Sequence, residues 1–542
     1  MKKLTKVLSL ILSCVLALGI FAGCSGEKEV HTGDKFTYWA TLHASVSQTQ
    51  TSYNDLLMYQ EINKATGTEV EFVHPTQGTA GNEAFQILLA SGDFPDMIEY
   101  NWASAYPGGP EQAIADGVII KLNDYLEDYA PNYYNYMEGE GGKAIDYAYK
   151  SNSLSSEGNY YGFKALLISQ YRGFGGLFVR KDMLDKWGLD IPQTIDDWTN
   201  VFKTAKENGV KYPLTGTPRL FKMMDCNVFN TAWEVGKSFY LKDGKVAFGP
   251  FQKEYKDYLS KMAEWGKAGY IDIDFITNGN TELEAAMTNG TSVASFGYVG
   301  GTLGKLMPAM KDRDPNYNLA ACPYPVMKEG DEPIFQEVAA EAIDPCIAIS
   351  VQCGIDNEDR YKEAIKWCDY LYSKEGMLLK SFGVEGNTYT VTKDEDGTEH
   401  YVYTDVITDH EKIGAHSIDA SLHHFMRPGN GPGFVNHADY LKGYYPYECQ
   451  KDAIEVWNKY VDVAKMHSMP FQMSYTDEEA AKKAEIEART VDNLQAAIYN
   501  VVLGKATLDS FDDAVKAAKK AGMSELTKIQ QAAYDRYSDY SK

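Results

Sequence analysis

The sequence predicts an α/β protein of two domains, the first doubly wound, closed by a helical C-terminal tail. Three observations carry that prediction. Strand and helix patterns alternate from Lys35 to Trp102, the order that builds a parallel sheet with helical crossovers. At 542 residues the chain is too long for one ordinary core. From about Tyr447 the apolar spacing is helical throughout.

Lys35-Phe-Thr-Tyr-Trp39 reads as the first strand and delivers Trp39 and His43 into the following loop. Tyr53 to Lys64 reads as a helix closed by Gly67, and Glu69-Val-Glu-Phe-Val73 alternates as a strand should. In the next helix Phe85, Leu88 and Leu89 share a face. Gly92 stands where a left-handed C-cap is wanted, and Pro95 forbids further helix. Met97-Ile-Glu-Tyr100 is then a short buried strand. Ligands of open parallel sheets sit beyond the carboxyl ends of the strands, so Asn101 and Trp102 are candidate contacts. A Trp there offers a flat apolar face that suits a sugar ring.

A helix and Val118-Ile-Ile-Lys-Leu122 follow, and Gly158-Asn-Tyr-Tyr-Gly-Phe163 reads as a glycine-bounded aromatic strand. Thr194 and Asp197 make a capping box, as do Thr476 and Glu479 in the tail. Asp359 to Ser373 is an amphipathic helix through Tyr361, Ile365, Cys368 and Leu371. Residues 393–398 lie between two Tyr/Val/Thr runs as a hairpin turn. Trp187, Trp198, Trp265 and Trp367 fall within helical periodicities and are assigned to the core. No internal repeat is present.

The net charge of −24 argues against nucleic acid as a partner, since that needs clustered Lys and Arg. Tyr alone counts 39, an excess that fits recognition of polar, ring-shaped ligands. Lys2, Lys3 and Lys6 precede an apolar run from Val7 to Ala22, the pattern of a signal peptide rather than of a membrane span. The run ends in Phe21-Ala-Gly-Cys24, which looks like a bacterial lipobox with Phe21 in place of the usual Leu, so Cys24 is the expected lipidation site. Ser25 to Asp34 is a polar tether. Beyond Cys14 and Cys24, six cysteines remain without a Cys-x-x-Cys spacing, and most read as buried thiols. Cys346 and Cys353 are close enough in sequence to pair, though nothing requires it.

The sequence lacks Gly-x-Ser-x-Gly, His-Glu-x-x-His and a Cys/His zinc spacing. His423 and His424 are adjacent and would not share a helix face, and Asp394-Glu-Asp396-Gly397 lacks the downstream Glu of a calcium loop. No metal, cofactor or catalytic group is expected. A secreted glycoside hydrolase, needing only two carboxylates about 5–10 Å apart, is the alternative from another class, with Glu99, Glu341 and Asp344 as nominees.

Ser91-Gly-Asp-Phe-Pro-Asp96 resembles the Gly-x-x-Pro-Asp signature of family-one extracellular solute-binding proteins of ABC importers. So do Tyr161-Gly-Phe163 leading into Phe178-Val-Arg-Lys-Asp-Met-Leu184, with Gly188 and Pro192-x-Thr194 after it. Leu283-Glu-Ala-Ala-Met287 before Ser295-Phe-Gly-Tyr298, Tyr372-Ser-Lys-Glu-Gly376 and Phe382-Gly-Val-Glu-Gly386 continue the match across nearly the whole mature chain. Behind a lipobox, the ordered set resembles the large lipoprotein members from Gram-positive bacteria.

The resemblance implies a two-lobed periplasmic-binding-protein-like fold, two doubly wound α/β domains joined by a crossing hinge, with crossovers near 164–176, 323–333 and Glu385. Signal peptide and tether are expected over 1–23 and 24–34. The first lobe is expected over 35–168 plus 333–385, and the second over 169–332 plus 386–542 with the tail. It implies a monomeric, non-catalytic receptor, held by lipid on the outer face of the cell membrane, that passes an oligosaccharide to an ABC permease. A peptide or other small solute is the alternative ligand. A sugar cleft needs aromatic platforms and planar polar groups. The candidates are Trp39, His43, Asn101 and Trp102 from the first lobe, and Tyr171 and Arg172 from the crossover. Trp233, Phe296 and Tyr298 come from the second lobe and Glu341 from the returning segment. Phe296 and Tyr298 follow the Ala-Ala-Met position where the maltose-binding type carries a platform aromatic.

Overall fold

The computed structural model describes residues 35–76, 78–139, 147–167, 171–340, 342–415, 417–429, 431–435, 438–471, 473 and 475–540. Cys24 and the leader lie outside the described residues, as does Glu341. Strands run in chain order as β1 (Lys35–Trp39), β2 (Glu69–Val73), β3 (Met97–Tyr100), β4 (Phe163–Leu167), β5 (Gly175–Arg180), β6 (Phe239–Lys242) and β7 (Lys245–Phe248). Then come β8 (Ala294–Tyr298), β9 (Leu319–Ala321), β10 (Ala342–Ile349), β11 (Tyr389–Lys393), β12 (Glu399–Tyr403) and β13 (Gly433–Val435).

The fold is mixed α/β in two lobes, each around its own sheet. The first holds a six-stranded sheet in the order β13-β4-β10-β3-β1-β2. β1 pairs parallel with β2 and β3, as the strand–helix–strand order requires, while β10 returns antiparallel between β3 and β4. The second holds β8-β5-β9, antiparallel about β5.

Local signals produce the expected elements. Gly92 caps the Gly81–Ser91 helix at φ 67°, a conformation an L side chain resists. Asp96, four residues on, is fully buried where the next strand begins. Its carboxylate accepts from the Thr37 backbone N–H (2.7 Å), the Thr37 hydroxyl (2.9 Å) and Arg360 (3.1 Å), so it ties β1 to the Asp359–Tyr370 helix. Both capping boxes form, at Thr194/Asp197 and Thr476/Glu479. β11 and β12 pair in a hairpin across 394–398, with Lys393 opposite Glu399. Trp198, Trp265 and Trp367 are fully buried and Trp187 is half-buried. The cysteines from Cys226 to Cys449 are all free thiols, so Cys346 and Cys353 do not pair.

Several expectations are corrected. The glycine-bounded strand expected at 158–163 begins only at Phe163, and before it only Tyr160 makes an isolated bridge. The segment after 386 was expected in the second lobe. Instead β13 pairs parallel with β4, and Arg427 forms an ion pair with Glu99 of β3. The third crossing therefore does not fall near Glu385. It follows the Ala438–Tyr444 helix, which packs on β12, and is made by the Glu448–Asn458 helix, which packs on β9. The tail helices Asp477–Val502 and Leu508–Ala518 then join the second core through Leu494, Ile498, Val502 and Phe511.

The three crossings are laced together. Asn458 Oδ1 accepts from the backbone N–H groups of Arg172 (2.5 Å) and Gly173 (2.6 Å), and its Nδ2 donates to the Gly173 carbonyl (2.8 Å). Gln336 donates to the Trp457 carbonyl at 2.6 Å. Two glycines make this approach possible. A Cβ at Gly173 would lie 2.3 Å from the Trp457 carbonyl oxygen, and one at Gly176 2.3 Å from the Trp457 indole nitrogen.

Candidate functional site

Where the second crossing leaves the smaller sheet, a cavity of about 490 Å³ opens between the lobes. Such a volume lies in the range of small-molecule clefts. Asn152, from the Tyr147–Ser153 helix beside β4 and β10, is its first-lobe contribution. Residues 336–340 of the crossing form the floor. The second lobe brings Tyr298 from the carboxyl end of β8, Arg219 from the Pro218–Leu220 turn, and Asp225. The tail brings 465–471 together with Tyr534 and Tyr537 of the Ser524–Tyr540 helix.

The polar side of the cavity is organised around Arg219. Its guanidinium donates to the Tyr298 hydroxyl at 2.6 Å, lies 5.3 Å from the Tyr298 ring centroid, and pairs with Asp225 at 2.9 Å. Beneath it Lys237 is buried and donates to the carbonyls of Arg219 (2.8 Å) and Leu220 (3.4 Å), fixing the turn. Burial pushes that ammonium down to about 8, against the raising influence of Cys226 and Asp225. Burial likewise pushes the Tyr298 hydroxyl and the Cys226 thiol up, the latter to about 11.

Glu337 is the second carboxyl of the cavity. It accepts from the Phe174 N–H at 3.1 Å, and its own N–H donates to Tyr324, whose hydroxyl donates to the Gly175 carbonyl. Burial raises its carboxyl to about 7, although the hydrogen bonds from Phe174 and Gly175 favour the ionised form. A carboxyl raised in the folded state binds its proton more tightly there than when unfolded. The stability it contributes is complete below about 4.5 and is lost as pH rises through about 7. Glu337→Gln should therefore flatten the pH dependence of the denaturant midpoint across that window. An unchanged slope would refute the assignment.

Of the residues expected at a cleft, Tyr298 lines this cavity. The other described candidates are placed elsewhere, each for a physical reason. Trp39 and Trp102 are core: Trp102 is fully buried, donates to the Ile98 carbonyl at 3.3 Å, and meets Phe85 edge-on at 5.2 Å. Asn101 caps the short Trp102–Ala105 helix by accepting from Ser104. His43 stacks on His423 at 4.6 Å within the first lobe. Tyr171 donates to Glu455 at 3.1 Å in a separate, more open concavity of about 590 Å³ whose other walls all come from 455–462. Arg172 is buried against Tyr149 (3.3 Å to its hydroxyl), Trp233 packs on Tyr258, and Phe296 is a buried neighbour of Tyr298. Arg219, Asp225 and Glu337 were not anticipated. They sit in aperiodic connections, where no periodic signal marks them.

Of the nominated carboxylates, Glu99 and Asp344 do not line that cavity. Glu99 is held by Arg427 and by Tyr38 (2.6 Å), and Asp344 by Lys164 (3.3 Å). Among the described residues no group of three or more His, Cys, Asp or Glu could hold a metal ion, and no helix is long and apolar enough to cross a membrane.

Residues 45–378 match the family model for bacterial extracellular solute-binding proteins. The melibiose/raffinose/stachyose-binding protein MelE of Bacillus subtilis is 23% identical over 60% of this chain and 70% of its own. The polygalacturonan/rhamnogalacturonan-binding protein YtcQ of the same organism is 22% identical over 97% of this chain and 98% of its own. Among solved structures, an extracellular solute-binding protein from Bifidobacterium longum subsp. infantis superposes with a TM-score of 0.67 at 20% identity, over 93% of this chain and 99% of that one. The family match spans the greater part of the chain, and with the two-lobed fold it identifies the protein as a bacterial extracellular solute-binding protein.

Proposed function

We propose that this protein captures an oligosaccharide in the 490 Å³ interlobe cavity and delivers it, unaltered, to an ABC permease. The observation that carries the reading is the make-up of that cavity. Hydrogen-bonding groups from the crossing and second lobe line it together with aromatic side chains from the tail, the two kinds of group that the hydroxyl rim and apolar face of a sugar ring require. Arg219 is already matched by Asp225 and Glu337 adds a further carboxyl, so these three favour an uncharged sugar over a uronate. The names of MelE and YtcQ support a carbohydrate ligand. Binding would select the closed arrangement of the lobes, which the permease reads. The lipobox at Cys24 supports a lipid anchor in the cell membrane. The protein acts as a monomer without catalysis, a reading supported by the burial of Glu99 and Asp344 in ion pairs away from the cavity.

The test is a Trp fluorescence titration of the protein from Ser25 onward with neutral and acidic oligosaccharides, followed by chromatography of the recovered sugar. Saturable binding with intact sugar is expected. Recovery of shorter fragments would make the protein an enzyme, and binding only of acidic sugars would overturn the charge argument. Arg219→Ala should weaken binding at least about tenfold, because it removes a charged donor and releases Tyr298.

A further inference from the structure

We infer that the C-terminal tail supplies an aromatic platform that sets how long a sugar the cavity holds. The inference rests on the reading of that cavity as an oligosaccharide site. Two large apolar side chains of the tail, Met466 and Phe471, are left 66% and 70% exposed, and both line the cavity. Tyr534 and Tyr537 line it beside them, one helical turn apart, with rings 6.4 Å apart and 19° from parallel. Exposed apolar surface gathered on the wall of a cleft gains when a ligand's apolar face covers it.

This wall is fastened rather than loose. Arg536 pairs with Glu479 at the start of the Asp477–Val502 helix, with contacts of 2.5 and 3.2 Å, and the Tyr475 hydroxyl donates to Gln530 at 2.7 Å. The last helix is thereby fixed to the segment that follows Phe471, Leu526 seats it in the second core, and Ala533 is fully buried. The polar grip of Arg219, Asp225 and Glu337 belongs to the second-lobe loops and the crossing. The tail wall lines the same cavity, and Phe471, the most exposed of the four, lies on its solvent side. A ring held by the polar grip leaves Phe471 uncovered, whereas a further ring in the same chain lies across it. Phe471 is thus a specificity-determining residue for ligand length, acting by stacking.

The experiment is calorimetric titration of wild type, Phe471→Ala and Phe471→Trp with disaccharide, trisaccharide and tetrasaccharide members of galacto-, fructo- and galacturonic-acid series. Because Phe471 is exposed, both variants should melt with the wild type, which a thermal scan verifies. Phe471→Ala is expected to lose about tenfold in affinity for the longest bound member and nothing for the shortest, and Phe471→Trp to retain both. An equal loss at every length, or no loss at any, overturns the platform while leaving the oligosaccharide site standing. Failure of the wild type to bind any member removes the oligosaccharide reading itself, and the platform with it.

Discussion

Glu99→Ala is expected to lower the unfolding free energy of the first lobe by about 3–5 kcal/mol, the cost of stranding a buried charge. Arg427 donates to both carboxylate oxygens of Glu99, at 2.6 and 2.5 Å, and its guanidinium lies 4.5 Å from the Tyr53 ring centroid. Both charged groups are buried. Burial alone would push the Glu99 carboxyl up, yet the Arg427 charge and hydrogen bonds, with that of Tyr38, hold it below its usual range. Without Glu99, Arg427 keeps its desolvation cost and loses its compensation. Lys380 donates to the Arg427 carbonyl at 2.8 Å, and burial, together with the Arg427 charge, pushes its ammonium down to about 7. Replacing the pair together, as Glu99→Leu with Arg427→Met, should recover most of the loss, because well-packed apolar groups avoid both desolvation terms. Denaturant unfolding of the two variants beside the wild type decides it. A single-variant loss below about 1 kcal/mol, the ordinary effect of a substitution, would mean that water reaches Arg427.

Gly176→Ala should destabilise by about 3 kcal/mol and disturb the hinge as well. The added Cβ would sit 2.3 and 2.4 Å from Nε1 and Cε2 of Trp457, a fully buried ring whose N–H donates to the Cys322 carbonyl at 3.1 Å. Either the ring leaves its site or the β5 backbone shifts, and overpacking of this kind costs about 1–3 kcal/mol or more. Trp457 and Asn458 hold the first two crossings through Gln336, Arg172 and Gly173, so a displaced Trp457 loosens the joint on which lobe closure turns. The check is a double-mutant cycle with Trp457→Leu. A coupling of about 0.5–3 kcal/mol favouring the double variant is expected. Strict additivity would show that the clash is relieved elsewhere.

The parts of the fold legible in the sequence were those that local chemistry decides. Gly92 and Pro95 end a helix wherever it stands, a Thr with an acidic residue three positions on caps one, and 393–398 turns a hairpin. The third crossing was not legible. Nothing in the apolar pattern after Glu385 says that β13 will add to β4, since its partners lie far back in the chain. The site was legible only at Tyr298, where a strand end and an aromatic coincide. Trp39 and Trp102 had the right type and position, but whether an indole faces a cleft or a core depends on neighbours such as Phe85, which strand position alone does not reveal. Arg219 and Glu337 acquire their roles from contacts with Tyr298 and Phe174 that only the assembled lobes create.

The late return of the chain to the first sheet also bears on how the protein folds. Glu99 meets its counter-charge 328 residues further on, and β13 cannot pair with β4 until nearly all of the chain has been made. A nascent chain released stepwise therefore carries an unfinished sheet edge and an uncompensated buried acid for most of its synthesis. Contacts this distant make folding slow and leave partly formed species prone to aggregation. The first sheet is complete only once β13 has been made.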